Sequence, residues 1–257
     1  MMGLRQRLKQ GDLLLGQLVL EFFTPGLGPM LDACGLDFVI FDMEHGRCDI
    51  GMLAQMIASC RGNSIVPMVR VPDLNFAPLS RVLDLGARGV MVPRVETREQ
   101  TEEIVRALKY PPQGKRGVAL GVAHDLYRAA GPEFFPKTNE DFPVIIQVES
   151  VKAFENLEAI ASVPGVDVLW VGHYDLTLSM GIPAEFDSPR FLQAMDDLVA
   201  ACRRHGVAPG FMPPTPDSAA HWIGNGFRMI SRGSDIGVFL DGMRKFRAFA
   251  KQGGKSA

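Results

Sequence analysis

Eight short runs of Val, Ile, Leu, Phe and Met recur along the chain: "LLGQLVL" (14–20), "DFVIFDM" (37–43), "IVPMVRV" (65–71), "GVMVPRV" (89–95), "PVIIQVE" (143–149), "VDVLWVG" (166–172), "GVAPGFM" (206–212) and "FRMISR" (227–232). They are apolar at successive rather than alternate positions, which is the pattern of strands whose sheet is covered by helices on both faces. The segments between them carry helical punctuation. In "ETREQTEEIVRALKY", Thr97 is placed as N-cap, Gln100 as its capping-box partner and Lys109 in the last turn. In "SPRFLQAMDDLVAACRRHG", Ser188 caps and Pro189 takes the first helical position. Phe191, Met195, Leu198 and Cys202 share one face there, and Gly206 is the stop. Strict alternation of strand and helix, eight times over, predicts an α/β chain forming one (β/α)8 TIM barrel across residues 1–257, with a doubly wound open sheet as the alternative. One connection, 110–142, is far longer than the usual few residues and carries aromatic and basic groups, so it is expected to be a lid or a subunit contact, with a surface excursion as the alternative.

Composition narrows the partners. An apolar fraction of 47% with 22% charged residues is that of a globular chain and excludes a disordered one. A formal charge of -2, a pI near 6.2 and no run of like charges offer no field for a phosphate backbone, so no nucleic-acid partner is expected. Cys34, Cys48, Cys60 and Cys202 form neither a C-x-x-C pair nor a zinc spacing and are expected as reduced, small core residues of a cytoplasmic protein. The run "LLLGQLVL" meets Glu21 without a small-residue cleavage site, and no run approaches the ~20 residues that span a bilayer, so neither a signal peptide nor a membrane segment is expected.

In a barrel the chemistry sits at the C-terminal ends of the strands, so the residues that close each apolar run matter most. The second run closes on Asp42, Glu44 and His45, the third on Arg70, the fifth on Gln147 and Glu149, and the sixth leads to His173 and Asp175. Glu149 and Asp175 would stand on neighbouring strand ends, where two carboxylates repel unless one is protonated or a cation lies between them. Two oxygen ligands suit Mg2+ or Mn2+ and leave positions for a chelating substrate; the plainer alternative is a salt-bridged rim. His173 would be a third ligand or a hydrogen-bonded wall residue. The planar Arg70 guanidinium could hold a carboxylate or an enolate, pair with Asp42 or Glu44, or do both. An imidazole at His45 suits proton transfer, with a structural role as its alternative. No lysine closes a strand, and Lys152, the nearest, lies three residues beyond Glu149, so a Schiff-base route is not expected.

The motifs "DMEHG", "VPMVRVP", "LDLGARGVMVPRVET", "YPPQGKRG", "QVES", "FENLEAIASVPGVDVLWVG" and "DLTLSMGIP", in that order, resemble the class II pyruvate aldolases of the HpcH/HpaI aldolase and citrate lyase family. The resemblance implies a (β/α)8 barrel assembled as a homohexamer, with the C-terminal helix (235–252) and the loop 110–142 at subunit contacts. It implies a divalent cation, Mg2+ or Mn2+ with Co2+ or Zn2+ as further candidates, held by Glu149 and Asp175. Arg70, Gln147, Asp42 and His173 would meet the substrate, and His45 would form an acid/base pair with Asp84. Asp84 precedes the fourth run on its helix side and is carried by the resemblance alone. The implied reaction is reversible cleavage of a 4-hydroxy-2-oxo acid to pyruvate or hydroxypyruvate and an aldehyde. A coenzyme A thioester lyase and a non-catalytic barrel that binds 2-oxo acids are the alternatives. His173, where many relatives have proline, and the loop 117–131 depart from the family pattern where the aldehyde would sit, so its identity is not legible.

Overall fold

The structure is a computed structural model and describes residues 2–74 and 76–253. Each apolar run forms one strand: β1 (Leu14–Val19), β2 (Phe38–Asp42), β3 (Val66–Arg70), β4 (Val90–Val92), β5 (Val144–Val148), β6 (Val168–Val171), β7 (Ala208–Phe211) and β8 (Met229–Ser234). The strands pair in parallel in chain order and β8 returns to β1, so the barrel is closed and the open-sheet alternative is excluded. Around it run α1 (Leu4–Lys9), α2 (Leu27–Ala33), α3 (Ile50–Ser59), α4 (Phe76–Asp84), α5 (Arg98–Leu108), α6 (Phe134–Asp141), α7 (Val151–Glu155), α8 (Leu157–Ala161), α9 (His173–Ser179), α10 (Pro189–His205), α11 (Ala219–Gly224) and α12 (Asp235–Gly253).

Burial on both faces explains why the strands do not alternate. Along β2, Phe38 and Ile40 join the barrel interior with Leu14, Leu18, Met68, Met91, Ile145 and Trp170, while Leu4 and Leu8 of α1 pack into the same cluster. Val39 and Phe41 instead meet the helix layer, in one cluster with Leu53, Leu79, Ile104, Phe191 and Leu198. Each such side chain, fully buried, contributes about 1.5–3 kcal/mol. Gly16 is required by this packing, because a Cβ there would collide with the Phe38 ring.

Local signals are honoured with three departures, one of them that Lys109 follows α5 as an extended C-cap and is not in its last turn. Thr97 and Gln100 form the reciprocal capping box at α5, and Gly206 ends α10 with φ +67°. Ser188 occupies the cap position of α10 and is extended, as a residue before proline must be, but its hydroxyl makes no cap bond. β4 stops at Val92 rather than continuing to 95, because Pro93 has no N–H to donate and Arg94 turns left-handed with φ +58°. Cys48, Cys60 and Cys202 are buried free thiols, and burial pushes Cys48 up to about 12 and Cys60 to about 11; Cys34, expected in the core, is exposed instead. No described helix is long and apolar enough to cross a membrane.

The long connection leaves α5 and enters β5, so it lies at the N-terminal rim and is no lid over this chain's own C-terminal rim. It is anchored there: Tyr110 N donates to Asn139 Oδ1 at 2.8 Å, and the buried Lys109 Nζ donates to the carbonyls of Asn139 at 2.7 Å and Phe142 at 3.3 Å. At the other end of the chain, α12 leaves Ile236, Val238, Phe239, Leu240, Met243, Phe246 and Phe249 exposed.

Candidate active site

Parallel register sets Asp42 at the end of β2 beside Arg70 at the end of β3. Arg70 donates from Nε to Asp42 Oδ1 at 2.8 Å and from Nη2 to Oδ2 at 2.6 Å, a two-pronged grip that fixes the guanidinium plane. The same two oxygens accept the main-chain N–H groups of Glu44 at 2.9 Å and His45 at 3.3 Å. This is why an apolar strand ends in a carboxylate: fully buried Asp42 orients the arginine and shapes the turn that carries Glu44 and His45. Each oxygen of Asp42, a residue expected to meet substrate, is bonded to Arg70 and to one main-chain N–H. Burial disfavours the Arg70 cation, but bonds to Asp42 and the charges of Asp42, Glu44 and Glu149 outweigh it and hold the guanidinium charged. Its Nη1 lies 3.1 Å from Glu44 Oε2.

Glu149 follows β5 and is buried. Its Oε1 accepts the main-chain N–H of Arg94 at 2.7 Å, and Gln147 Nε2 donates to its Oε2. Burial raises the carboxyl to about 7, opposed by those two bonds and reinforced by the negative charges of Glu44 and Asp175. Asp175 stands exposed in the first turn of α9. Gly172 closes this corner, since a Cβ there would strike the Glu149 carboxylate. Gln147 Oε1 is buried without a hydrogen-bond partner. A buried acid with raised proton affinity, a second acid whose charge it feels and an unused amide oxygen fit a hard divalent cation. Among the described residues no three His, Cys, Asp or Glu side chains gather into a cage. Glu149 and Asp175 are the two carboxylates that could hold such an ion.

His45 lies on the same rim, its side chain 54% exposed and its Nε2 3.7 Å from Glu44 Oε1. His173 is buried among Tyr174, Phe186 and Phe211, with ring centroids 4.5, 5.1 and 5.3 Å away, and burial pushes its imidazole down to about 4. It is thus a neutral wall residue. Asp84 stands apart: at the end of α4, on the opposite rim, it accepts a bond from Arg116 Nη2 at 2.5 Å and lies 3.4 Å from His124 Nδ1. One chain brings Asp42, His45, Arg70, Gln147, Glu149, His173 and Asp175 to a common rim and leaves Asp84 out. Lys152 is exposed and 2.9 Å from Glu96 Oε2, so its ammonium is already engaged.

Two site residues escaped the pattern reading. Arg94 uses its left-handed main chain to reach Glu149 and its Nη2 to reach Glu44 Oε1 at 2.8 Å. That conformation costs a non-glycine residue about 1 kcal/mol or more. A cation two residues past β4 was available as a signal, by the same strand-end rule that singled out Arg70. Gly172 left no signal, because its role exists only beside Glu149.

A closed parallel barrel with its polar constellation at the C-terminal rim defines a (β/α)8 enzyme. Residues 23–242 match the sequence profile of the HpcH/HpaI aldolase/citrate lyase family, and the chain belongs to that family. It is 32% identical over 223 residues to the 5-keto-4-deoxy-D-glucarate aldolase of Klebsiella pneumoniae, covering 86% of this chain and 87% of that one. A crystal structure of an HpcH/HpaI aldolase/citrate lyase family protein from Burkholderia cenocepacia superposes with a TM-score of 0.90 at 30% identity, covering 96% of this chain and 98% of that one. The citrate synthase SbnG superposes with a TM-score of 0.88 at 29% identity over 100% of both chains. The protein is an aldolase, a carbon–carbon lyase, and the non-catalytic alternative falls.

Proposed function

We propose that this enzyme cleaves a 4-hydroxy-2-oxo acid reversibly to pyruvate or hydroxypyruvate and an aldehyde, with a divalent cation held by Glu149 and Asp175. The observation that carries this reading is the corner formed by Glu149, Gln147 and Gly172, where a buried carboxyl has its proton affinity raised to about 7 next to a second acid. When bound, Mg2+ or Mn2+ supplies the positive charge that offsets the enolate left by bond cleavage. Arg70, locked in plane by Asp42, adds a second positive charge beside the enolate oxygen. Gln147 orients Glu149. His45 takes the 4-hydroxyl proton in cleavage and returns it in synthesis.

Within one chain Asp84 and His45 occupy opposite rims, so we assign their pairing to contact between copies, the N-terminal rim of one subunit meeting the C-terminal rim of another. The exposed apolar row of α12 supports an oligomer, for which we propose the hexamer.

The test is exchange of pyruvate methyl protons with deuterated solvent, followed by NMR. Exchange is expected with Mg2+ or Mn2+, lost on chelation, and absent from Glu149→Ala and Asp175→Ala whatever metal is supplied. Undiminished exchange after exhaustive chelation would end the metal reading. His45→Ala should lose most cleavage activity yet bind metal in a calorimetric titration, since it is not a ligand.

A further inference from the structure

The turn that carries His45 is held from two sides. On one side Asp42 Oδ2 accepts the His45 main-chain N–H at 3.3 Å. On the other lies Leu20, just past the end of β1: Arg47 N donates to its carbonyl at 3.2 Å, and a Cβ on Gly46 would come within 3.2 Å of Leu20 Cα. Glu21 adds a looser tie, its Oε1 3.5 Å from Arg47 Nη1. The imidazole itself makes no hydrogen bond among the described residues, Glu44 Oε1 at 3.7 Å being too distant, so the ring stands where the main chain of this turn puts it.

Leu20 is held in turn by the first residue of α12. The ladder between β8 and β1 shifts register between Gly16 and Leu18, and side chains take over from it: Ser231 Oγ accepts from Leu18 N at 3.0 Å. Beyond the ladder the buried Asp235 carboxylate accepts three successive main-chain N–H groups, with Oδ1 taking Leu20 at 3.0 Å and Oδ2 taking Glu21 at 3.0 Å and Phe22 at 2.6 Å. Among the described residues no cation pairs with Asp235, so its charge is met by these amides alone. Charge-assisted bonds of this kind are the strong ones, and three of them fix the direction of the chain where no neighbouring strand does. One turn further along α12, Phe239 meets the Phe22 ring edge-on at 5.7 Å.

We propose that Asp235 is a positioning residue for the reaction: through Leu20 and the turn 45–47 it fixes where the His45 imidazole stands. This rests on the acid/base role given to His45 above. The test is a double-mutant cycle on the cleavage of 4-hydroxy-2-oxopentanoate, the aldol of pyruvate and acetaldehyde, with Mn2+. Asp235→Asn keeps the shape and one acceptor oxygen, and Asp235→Ala removes all three bonds; where the alanine variant does not fold, the asparagine variant carries the test. Misplacing a catalytic group by about 1 Å costs on the order of 100-fold, so kcat should fall about tenfold in Asp235→Asn and further in Asp235→Ala, with KM changed by less than about twofold. Mn2+ affinity, measured by calorimetry, should stay at the wild-type value, because Glu149 and Asp175 do not rest on this loop. In a His45→Ala background neither substitution should lower the residual rate further. The same fold-loss in both backgrounds, wild-type kcat in both Asp235 variants, or loss of Mn2+ affinity along with turnover would overturn the role. A His45→Ala enzyme that cleaves as fast as the wild type gives a different result: the acid/base reading of His45 fails, and this role with it.

Discussion

Glu149 holds a proton up to about pH 7 because burial disfavours its charge and Glu44 and Asp175 add to the repulsion. A cation can bind only the deprotonated form, so binding must release that proton. Mn2+ affinity should therefore level off above pH 7 and weaken about tenfold for each unit below it. Calorimetry in buffers of different ionisation enthalpy would reveal the proton release, and a pH-independent affinity between 5 and 7 would contradict it. Asp42 makes a different kind of demand. Asp42→Ala would leave the buried Arg70 without its grip and strand two main-chain N–H groups. The expected loss is about 3–5 kcal/mol in urea unfolding, the scale of a buried pair broken on one side. The strand-end pattern allows Arg70 to pair with Asp42 or Glu44, to hold substrate, or to do both, and the pairing is made with both acids. At Arg94 the strand-end rule was the available signal, since a left-handed turn after Pro93 leaves no periodic trace.

At the scale of elements, the connection between α5 and β5 is held by a buried ammonium. Lys109 is pushed down to about 8 from its ordinary 10.5, chiefly because burial penalises its charge. Between those two values the unfolded chain binds more protons than the folded one, so this group's contribution to stability rises with pH from about 8 to 10.5 and is flat below 8. The span amounts to roughly 3 kcal/mol. The difference in unfolding free energy between wild type and Lys109→Met should change by that amount across the window, and a constant difference would show that the ammonium is not held as described. The connection itself was legible as an exception by its length. Its placement at the N-terminal rim was not, since that follows from the direction in which α5 returns to the start of β5.

For the whole molecule, α12 is the element that one chain cannot account for. Phe239, Met243, Phe246 and Phe249 are exposed on a helix that follows the closing strand, and such a row in a single copy is an unsatisfied apolar surface. Self-association is expected, and Phe246→Glu combined with Phe249→Glu should shift the sedimentation coefficient toward that of a smaller species. A wild type that sediments as a monomer at micromolar concentration would remove this expectation. By itself the chain determined its strands, its two clearest helices and the acids, arginine and histidine at the strand ends, because those depend on near neighbours and on burial that repeats with a fixed period. Only the closed barrel decided which end of it each residue occupies: Glu149 near Asp175, Arg94 reaching both Glu44 and Glu149, and Asp84 on the far rim. Those relations join residues 26 to 55 positions apart, and distance along the chain carries no information about them until the sheet closes.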